Sequence, residues 1–330
     1  MQEQEMLQKK RRIAVPIMTH PGIELCGRTV LEAVTDGQVH ADAICALDAR
    51  FPAAAVTAIM DLTVEAEAFG AEVAFSTDEI PNVVGRLVSD YDSVAALVVP
   101  GLEAGRVQEF LKANRTVKSR ICGKPVYGGA IGPFSLAGRL FDLSEFMMAL
   151  YTEPDTALLL LDKCTEFIIK YLRAMKGTGI DGVILAEPAA GLVSNDDCYA
   201  YSTVFVRRIV DEVQDAGFTV ILHNCGNTGH CTDAMVRSGA AALHFGNKAD
   251  MVEALKACPP ELTVMGNIDP VGVLGMGTPE SVKAETAALL EATSAFDNFV
   301  LSTGCDVPPR IPFENISAFY EALDDYNRGI

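Results

Sequence analysis

The feature that most constrains the fold of this chain is a series of short apolar segments that alternate with helical stretches from residue 180 onward. Each segment is apolar almost throughout and becomes polar at its C-terminal end. A parallel strand does this when both of its faces are buried and its last residues open into a crevice. The five segments span residues 182–188, 219–225, 241–246, 263–269 and 299–305. This alternation predicts an α/β fold with a parallel sheet.

The N-terminal half is less regular but adds three candidate strands, at residues 13–18, 73–76 and 126–131. Helices are predicted at residues 53–69, 105–113, 155–176 and 279–292. Because the strands total eight and no G-x-G-x-x-G motif follows any of them, a (β/α)₈ TIM barrel with an N-terminal helical extension is favoured over a doubly wound sheet. We expect a solvated segment at residues 1–12 and one TIM-barrel domain at 13–330.

Charge and cysteine usage limit the partners and the compartment. The net charge of −18 has the wrong sign for a surface that binds nucleic acid. The longest apolar stretch, residues 51–60, is far shorter than the ~20 residues of a membrane span. The first residues lack the apolar stretch and small-residue cleavage site of a signal peptide, so export is not expected, and the nine cysteines have no framework spacing. We therefore expect a cytoplasmic protein with reduced thiols and no membrane partner. Its oligomeric state is left open.

Polar side chains gather at the predicted C-terminal ends of the five strands. In a TIM barrel these ends meet at the face that carries the active site. The residues are Glu187, His223, Cys225, His244, Asn267, Asp269 and Cys305. His223 and Cys225 are two residues apart on one strand, so their side chains leave the same face. With Cys305 they form a soft ligand set that suits Zn²⁺ and leaves a fourth position for a substrate.

The same residues also have structural interpretations. An H-x-C pair alone is a weak signal, because cysteines and strand histidines are often buried core residues. His244 is open to that interpretation as well. A rival, finger-like zinc set would add His230 and Cys231 to the first pair. It is disfavoured because Gly226 and Gly229 place His230 in a loop or at a helix start, and no second C-x₂₋₄-C pair exists.

Several motifs around these residues resemble the uroporphyrinogen decarboxylase superfamily, and within it the methylcobamide:coenzyme M methyltransferase branch. They are LHNCGNT at 222–228, GNIDP at 266–270, GTPE at 277–280, GCDVPP at 304–309, ENI at 314–316, GAIGPFSLAG at 129–138 and DGVILAEP at 181–188. The resemblance implies a TIM barrel with zinc on His223, Cys225 and Cys305. It also implies a methylated corrinoid on a separate corrinoid protein as donor, and a small acceptor such as coenzyme M or tetrahydrofolate.

On this hypothesis the remaining strand-end residues serve the acceptor. Glu187 and Asp269 would act as catalytic residues that orient it or take its proton. A functional role is favoured for Glu187, because an unpaired carboxylate at the end of a buried strand is costly. Asp269 precedes a proline, so a turn role is the alternative. We expect substrate-binding roles for Asn267, His244, Phe134 and His20.

Two other functions remain open at this point. The decarboxylase branch carries an arginine-rich segment near its N-terminus, whereas the corresponding residues 18–24 here read MTHPGIE and the next arginine is Arg28. Tetrapyrrole decarboxylation is therefore the weaker alternative. A non-catalytic barrel that binds a corrinoid protein is the second, and an intact zinc set argues against it.

Overall fold

The computed structural model describes residues 10–330 and contains nine strands, fifteen α-helices and two short helical turns in that range. The strands are β1 Val56–Thr57, β2 Glu72–Ala74, β3 Asn82–Val84, β4 Val126–Ile131, β5 Gly182–Ala186, β6 Thr219–Asn224, β7 Ala242–Phe245, β8 Thr263–Ile268 and β9 Phe299–Thr303. The helices of the first half are α1 His20–Leu25, α2 Val30–Thr35, α3 Gly37–Arg50, α4 Val64–Ala68, α5 Tyr91–Ala96, α6 Val107–Arg120, α7 Pro133–Phe141, α8 Leu143–Thr152 and α9 Pro154–Gly177. The second half contains α10 Asn195–Cys198, α11 Val204–Val213, α12 Thr232–Val236, α13 Met251–Ala257, α14 Pro279–Ala292 and α15 Phe313–Arg328, with a 3₁₀ turn at Pro188–Leu192 and a π-helical turn at Tyr199–Thr203.

Seven of the strands form one curled sheet in which every pairing is parallel. Their order is β1-β4-β5-β6-β7-β8-β9. Strand β5 is buried along its whole length, as expected for a strand covered on both faces. The α/β class and the five strands predicted from residue 180 onward are confirmed, and so is β4.

Residues 13–17 lie beside both edge strands of this sheet. Ala14 forms an isolated parallel bridge with Leu301 of β9, and the Val15 N–H donates to the Leu301 carbonyl at 2.9 Å. On the other side the Ala54 N–H donates to the Ala14 carbonyl at 2.9 Å. The predicted first strand is therefore a hydrogen-bonded segment with one bridge.

One prediction for the first half is half right and another is wrong. A strand is present near residues 73–76, as β2, but it does not join the large sheet, because Glu72–Ala74 pairs with Asn82–Val84 in an antiparallel hairpin. The predicted helix at 53–69 contains strand β1, and only Val64–Ala68 is α-helical. Residues 55–61 are all buried. The spacing of apolar residues in this segment therefore does not distinguish a helix from a strand, because no side of the segment faces solvent.

The helices of the second half follow their sequence signals. Pro154 occupies the first turn of α9, and Thr278 caps α14 by accepting a hydrogen bond from the Ser281 N–H at 3.3 Å. Both predicted helices are confirmed to within a residue or two. The prediction for 105–113 was too short, since α6 continues to Arg120.

The N-terminal region differs from expectation in two ways. Residues 10–19 contain no helix, so α1 to α3 follow the segment bonded to β9 and do not precede it. Arg12 is buried, and its guanidinium donates to the Thr293 carbonyl at 3.0 Å, so the solvated segment does not extend to residue 12. Residues 1–9 lie outside the described range. No helix within residues 10–330 has the length and apolar character needed to cross a bilayer.

Candidate metal centre and adjoining cavity

Three predicted ligands converge at the carboxyl ends of the parallel strands. His223 is near the end of β6, Cys225 follows that strand, and Cys305 lies two residues beyond β9. Their ligand atoms all lie within 4.8 Å of one another, and the Cys305 Sγ is 3.8 Å from the His223 Nε2. Strands β7 and β8 lie between β6 and β9 in the sheet. The curl of the sheet therefore brings the ligands together.

Two glycines allow the loops that carry the cysteines to approach so closely. A Cβ on Gly246 would lie 2.7 Å from the Cys225 Cα and 2.8 Å from its carbonyl oxygen. A Cβ on Gly304 would lie 2.4 Å from the Asn247 backbone nitrogen. Both distances are shorter than a nonbonded contact permits, so the loop packing beside the ligands requires glycine at these positions.

A chain of hydrogen bonds holds His223 from behind. Its Nδ1 lies 2.8 Å from the Nδ1 of His244, its register partner on β7, and the His244 Nε2 lies 2.8 Å from the Ser302 Oγ. The Ser302 hydroxyl donates to the Val15 carbonyl at 2.7 Å. The single hydroxyl proton of Ser302 is used in this bond, so the Ser302 oxygen can only accept a hydrogen bond from His244. We infer that His244 donates to Ser302 and accepts from His223, which leaves the His223 Nε2 lone pair facing the cysteines.

The two thiols influence each other. Contact with Cys305 is the main cause that lowers the pKa of Cys225, while the same contact and burial raise the pKa of Cys305. The pair therefore releases one proton more readily than an isolated thiol and holds the second more tightly. Two sulfurs and one imidazole nitrogen form the soft donor set that suits Zn²⁺. Within the described range, this is the one group of three or more His, Cys, Asp or Glu side chains whose ligand atoms lie close enough together to hold one metal ion.

A cavity of about 520 Å³ adjoins this centre. Its lining includes Cys225, Gly226, Leu192, Ser135, Arg139 and Leu143. One of the three candidate ligands is thus exposed to a space large enough for a small organic molecule.

Glu187 is buried, contacts Ser135 of the cavity lining, and is held by four donors. Its carboxylate accepts from the Phe134 N–H at 2.9 Å, the Ser135 N–H at 2.9 Å, the Ser135 hydroxyl at 2.7 Å and the Ser202 hydroxyl at 3.3 Å. Burial raises the pKa of Glu187 to about 7, although these hydrogen bonds lower it. Because Phe134 and Ser135 lie in the first turn of α7, the Glu187 carboxylate caps the N-terminus of this helix. Gly132, at the N-cap position, has no side chain that could do so.

Asn267 and Asp269 hold the loops that follow β7 and β8. The Asn267 amide donates to the Gly246 carbonyl at 3.0 Å and the Ala249 carbonyl at 2.7 Å. Asp269 accepts from the N–H groups of Val271 and Gly272, each at 2.9 Å. Asp269 thus makes the turn contacts of its structural interpretation, and a catalytic role for it stays a prediction.

The other predicted substrate-binding residues are deeply buried. The ring of Phe134 packs edge-on against Phe146 at 5.2 Å. His20 is fully buried and its Nδ1 lies 3.3 Å from Asp306, the residue after Cys305. Burial lowers the pKa of His20. The contacts with Asp306, with help from Val307 and Asp61, raise the pKa by more than burial lowers it, so the net shift is upward. His244 is also fully buried, and both of its ring nitrogens are occupied.

The rival zinc set does not assemble. The His230 Nε2 lies 3.1 Å from the Val193 carbonyl, and the Cys231 Sγ also faces that carbonyl, at 3.5 Å. The group of candidate ligands within residues 10–330 leaves both residues out.

Sequence reasoning missed Ser302, Asp306 and Arg139. Asp306 follows a predicted ligand directly, and Ser302 is a polar residue inside a predicted apolar strand. Arg139 is the one charged residue in segment 133–141, which is mostly apolar. Each carried a signal that required a three-dimensional partner to interpret.

The family known as Uroporphyrinogen decarboxylase (URO-D) matches residues 12–326 of the chain. The chain belongs to this family. A methylcobamide:CoM methyltransferase, MtbA of Methanosarcina mazei, is 31% identical over 277 residues, covering 82% of this chain and 80% of that protein. The uroporphyrinogen decarboxylase of Serratia proteamaculans is 28% identical over 287 residues, covering 83% and 79%. The predicted resemblance to the superfamily and its methyltransferase branch is confirmed.

A solved structure supports the same relationship. The methyltransferase from Methanosarcina mazei superposes with a TM-score of 0.87 at 26% identity, covering 98% of this chain and 95% of that one. Nearly the whole described fold is therefore shared with that protein.

Proposed function

We propose that this protein is a zinc-dependent enzyme that moves a methyl group from a methylated corrinoid, carried by a partner corrinoid protein, to a small acceptor such as coenzyme M. The observation that carries the proposal is the convergence of His223, Cys225 and Cys305 within 4.8 Å, beside a cavity. Relatives named methylcobamide:CoM methyltransferases support the same reaction class.

Each part of the site has a task in this reaction. Zinc bound by the three ligands would act as a Lewis acid that lowers the pKa of an acceptor thiol, so that the thiolate is present at neutral pH. Cys225 and Cys305 supply the negative charge that holds the ion. His244 and Ser302 fix the orientation of His223, and the adjoining cavity receives the acceptor.

The roles of the surrounding residues follow from their contacts. We propose that His244 positions a ligand and does not touch the acceptor, because its ring is fully buried behind His223. Glu187 and Asn267 would shape the site through α7 and the loop after β7. We further propose that residues 13–17 close the parallel sheet into an eight-stranded barrel, which would fix the spacing between β6 and β9.

Three alternatives are kept: a tetrapyrrole decarboxylase, tetrahydrofolate as the methyl acceptor, and a non-catalytic scaffold. Relatives named uroporphyrinogen decarboxylase match a similar share of the chain. However, uroporphyrinogen carries several carboxylates, whereas Arg139 is the only cation among the described residues that line the cavity. The cavity therefore suits a substrate with fewer negative charges better. Tetrahydrofolate is the alternative acceptor. A cytoplasmic location and a non-catalytic scaffold role also remain open to experiment.

The central test measures the metal and the reaction together. Purified protein should hold about one zinc per chain, and Cys225→Ser should lose it, whereas Cys122→Ser, at an exposed cysteine, should retain it. Methylcobalamin should be demethylated only when an acceptor is added, with coenzyme M and tetrahydrofolate assayed side by side. Cys305→Ala should abolish this transfer.

Full zinc retention in Cys225→Ser would refute the ligand set. Decarboxylation of uroporphyrinogen by Cys305→Ala would instead favour the tetrapyrrole enzyme. Absence of both activities in the zinc-loaded wild type would favour the scaffold.

A further inference from the structure

The cavity beside the candidate metal centre is lined by a cation that has no partner among the residues that the structure describes. Arg139 lies in the last turn of α7 and lines the cavity together with Cys225. Its guanidinium makes no hydrogen bond or ion pair with any residue between 10 and 330, although the side chain is half-buried. A partly desolvated charge is costly unless something pairs with it.

The nearby carboxylates do not supply that pairing. Asp61 is committed to Arg106, with an Nη1 to Oδ2 distance of 2.5 Å, and also accepts from Thr63. Glu65 is buried, and burial raises its pKa to about 8, so it is mainly neutral at pH 7. Burial also lowers the pKa of Arg139, which these two acids only partly offset.

One further acid lines the same cavity. Asp142 is exposed and uses its Oδ1 to cap α8, accepting from the Ser144 and Glu145 N–H groups at 3.0 and 3.3 Å. Although it is three residues from Arg139, it lies beyond the 4.0 Å of an ion pair. The guanidinium therefore remains available to a molecule inside the cavity.

We propose that Arg139 binds an acidic group on the methyl acceptor, so that the acceptor is an anion whose other end reaches the metal centre at Cys225. The inference rests on the proposed function, because it requires an acceptor in this cavity. Arginine suits the task because its planar fork of N–H donors matches a sulfonate or carboxylate. Coenzyme M, which carries a thiol and a sulfonate, has this chemistry, and the carboxylates of tetrahydrofolate are a second source.

Calorimetric binding to the zinc-loaded protein tests the inference, and three probes separate the two ends of the acceptor. Coenzyme M carries both groups, 2-mercaptoethanol has only the thiol, and ethanesulfonate has only the acid. In Arg139→Gln we expect the Kd for coenzyme M to rise at least about tenfold, as loss of a charged hydrogen bond does. The Kd for 2-mercaptoethanol should stay within about twofold of wild type, because this probe has no acidic group that could bind to Arg139.

Two further variants distinguish the charge from the fold. Arg139→Lys should recover part of the affinity, because it keeps the charge but loses the fork. Arg207→Gln, at an exposed arginine on α11, should bind all probes as the wild type does. Tetrahydrofolate is measured in parallel, and loss of its binding alone in Arg139→Gln would support a carboxylate acceptor instead of a sulfonate.

The failure of this inference and the failure of the proposed function give different results. If Arg139 binds no acid, wild type and Arg139→Gln will bind every acidic probe equally. If Arg139 is only structural, Arg139→Gln and Arg139→Lys will also lose their affinity for 2-mercaptoethanol. Either of these two results overturns the inference. If the zinc chemistry is wrong, neither thiol will ligate the metal, yet ethanesulfonate will bind the wild type and fail to bind Arg139→Gln.

Discussion

Glu65 should make the protein less stable as the pH rises, and Glu65→Gln should remove much of that loss. The side chain is fully buried, its Oε1 accepts from the Ile131 N–H at 3.0 Å, and its Oε2 has no hydrogen-bond partner among the described residues. This environment suits a neutral acid, because a carboxylate needs more donors than one amide. Glutamine is nearly isosteric with that neutral form and can keep the bond to Ile131.

The sign and size follow from proton linkage. Burial raises the pKa of Glu65 from 4.5 to about 8, so the folded protein binds this proton more tightly than the unfolded chain does. Stability is therefore lost as the pH rises from the unfolded value through the folded one. Between pH 6 and pH 9 the loss from this group is about 2 to 3 kcal/mol, an order-of-magnitude figure.

Urea unfolding at several pH values between 6 and 9 measures the effect. The unfolding free energy of Glu65→Gln relative to wild type should increase as the pH rises, by about 2 to 3 kcal/mol between pH 6 and pH 9, because only the wild type loses stability through this group. Contributions from Glu187 cancel in this difference. Glu285→Gln, at an exposed glutamate of α14, is the matched control. Parallel curves for wild type and Glu65→Gln would refute the reasoning.

Three further perturbations probe the metal centre and its supports. His244→Phe should weaken zinc binding about 10- to 100-fold in a chelator competition, because it removes the partner of His223 Nδ1; an unchanged affinity would refute the positioning role. Glu187→Gln should lower the unfolding free energy by about 2 kcal/mol with zinc retained, because an amide nitrogen would face backbone donors. Slower turnover without that instability would instead indicate direct catalysis. Gly246→Ala should cost about 1 to 3 kcal/mol and disturb the Cys225 loop, while Gly177→Ala, where no atom lies within 4 Å of the new Cβ, should not.

The ligand set could be predicted from sequence because parallel strands bring their carboxyl ends to one edge. His223 and Cys305 are 82 residues apart, yet each lies within two residues of the C-terminal end of an apolar strand. Knowing that both segments are strands was therefore enough to bring the side chains together. The same logic located His244, whose place on β7 is opposite His223 in the register.

The first half of the chain gave weaker signals for a physical reason. Strand β1 has only two residues, and their pairing with Val126 and Tyr127 of β4 is a contact across about seventy positions. Local sequence does not encode such a pairing. Likewise, whether residues 73–76 pair with the large sheet or with Asn82–Val84 depends on the chain between them, which periodicity does not describe.

The charge state of Arg139's surroundings is the clearest case in which structure adds to sequence. The chain has 44 acidic residues against 26 basic ones, so its composition gives no sign that a cation would lack a charged partner. Burial reverses this locally, because Glu65 near Arg139 is neutral below pH 8 and Asp61 is committed to Arg106. Above pH 8, ionised Glu65 would offset the charge of Arg139 and compete with an acidic acceptor. Binding measured below that pH therefore reports on Arg139 with its charge uncompensated.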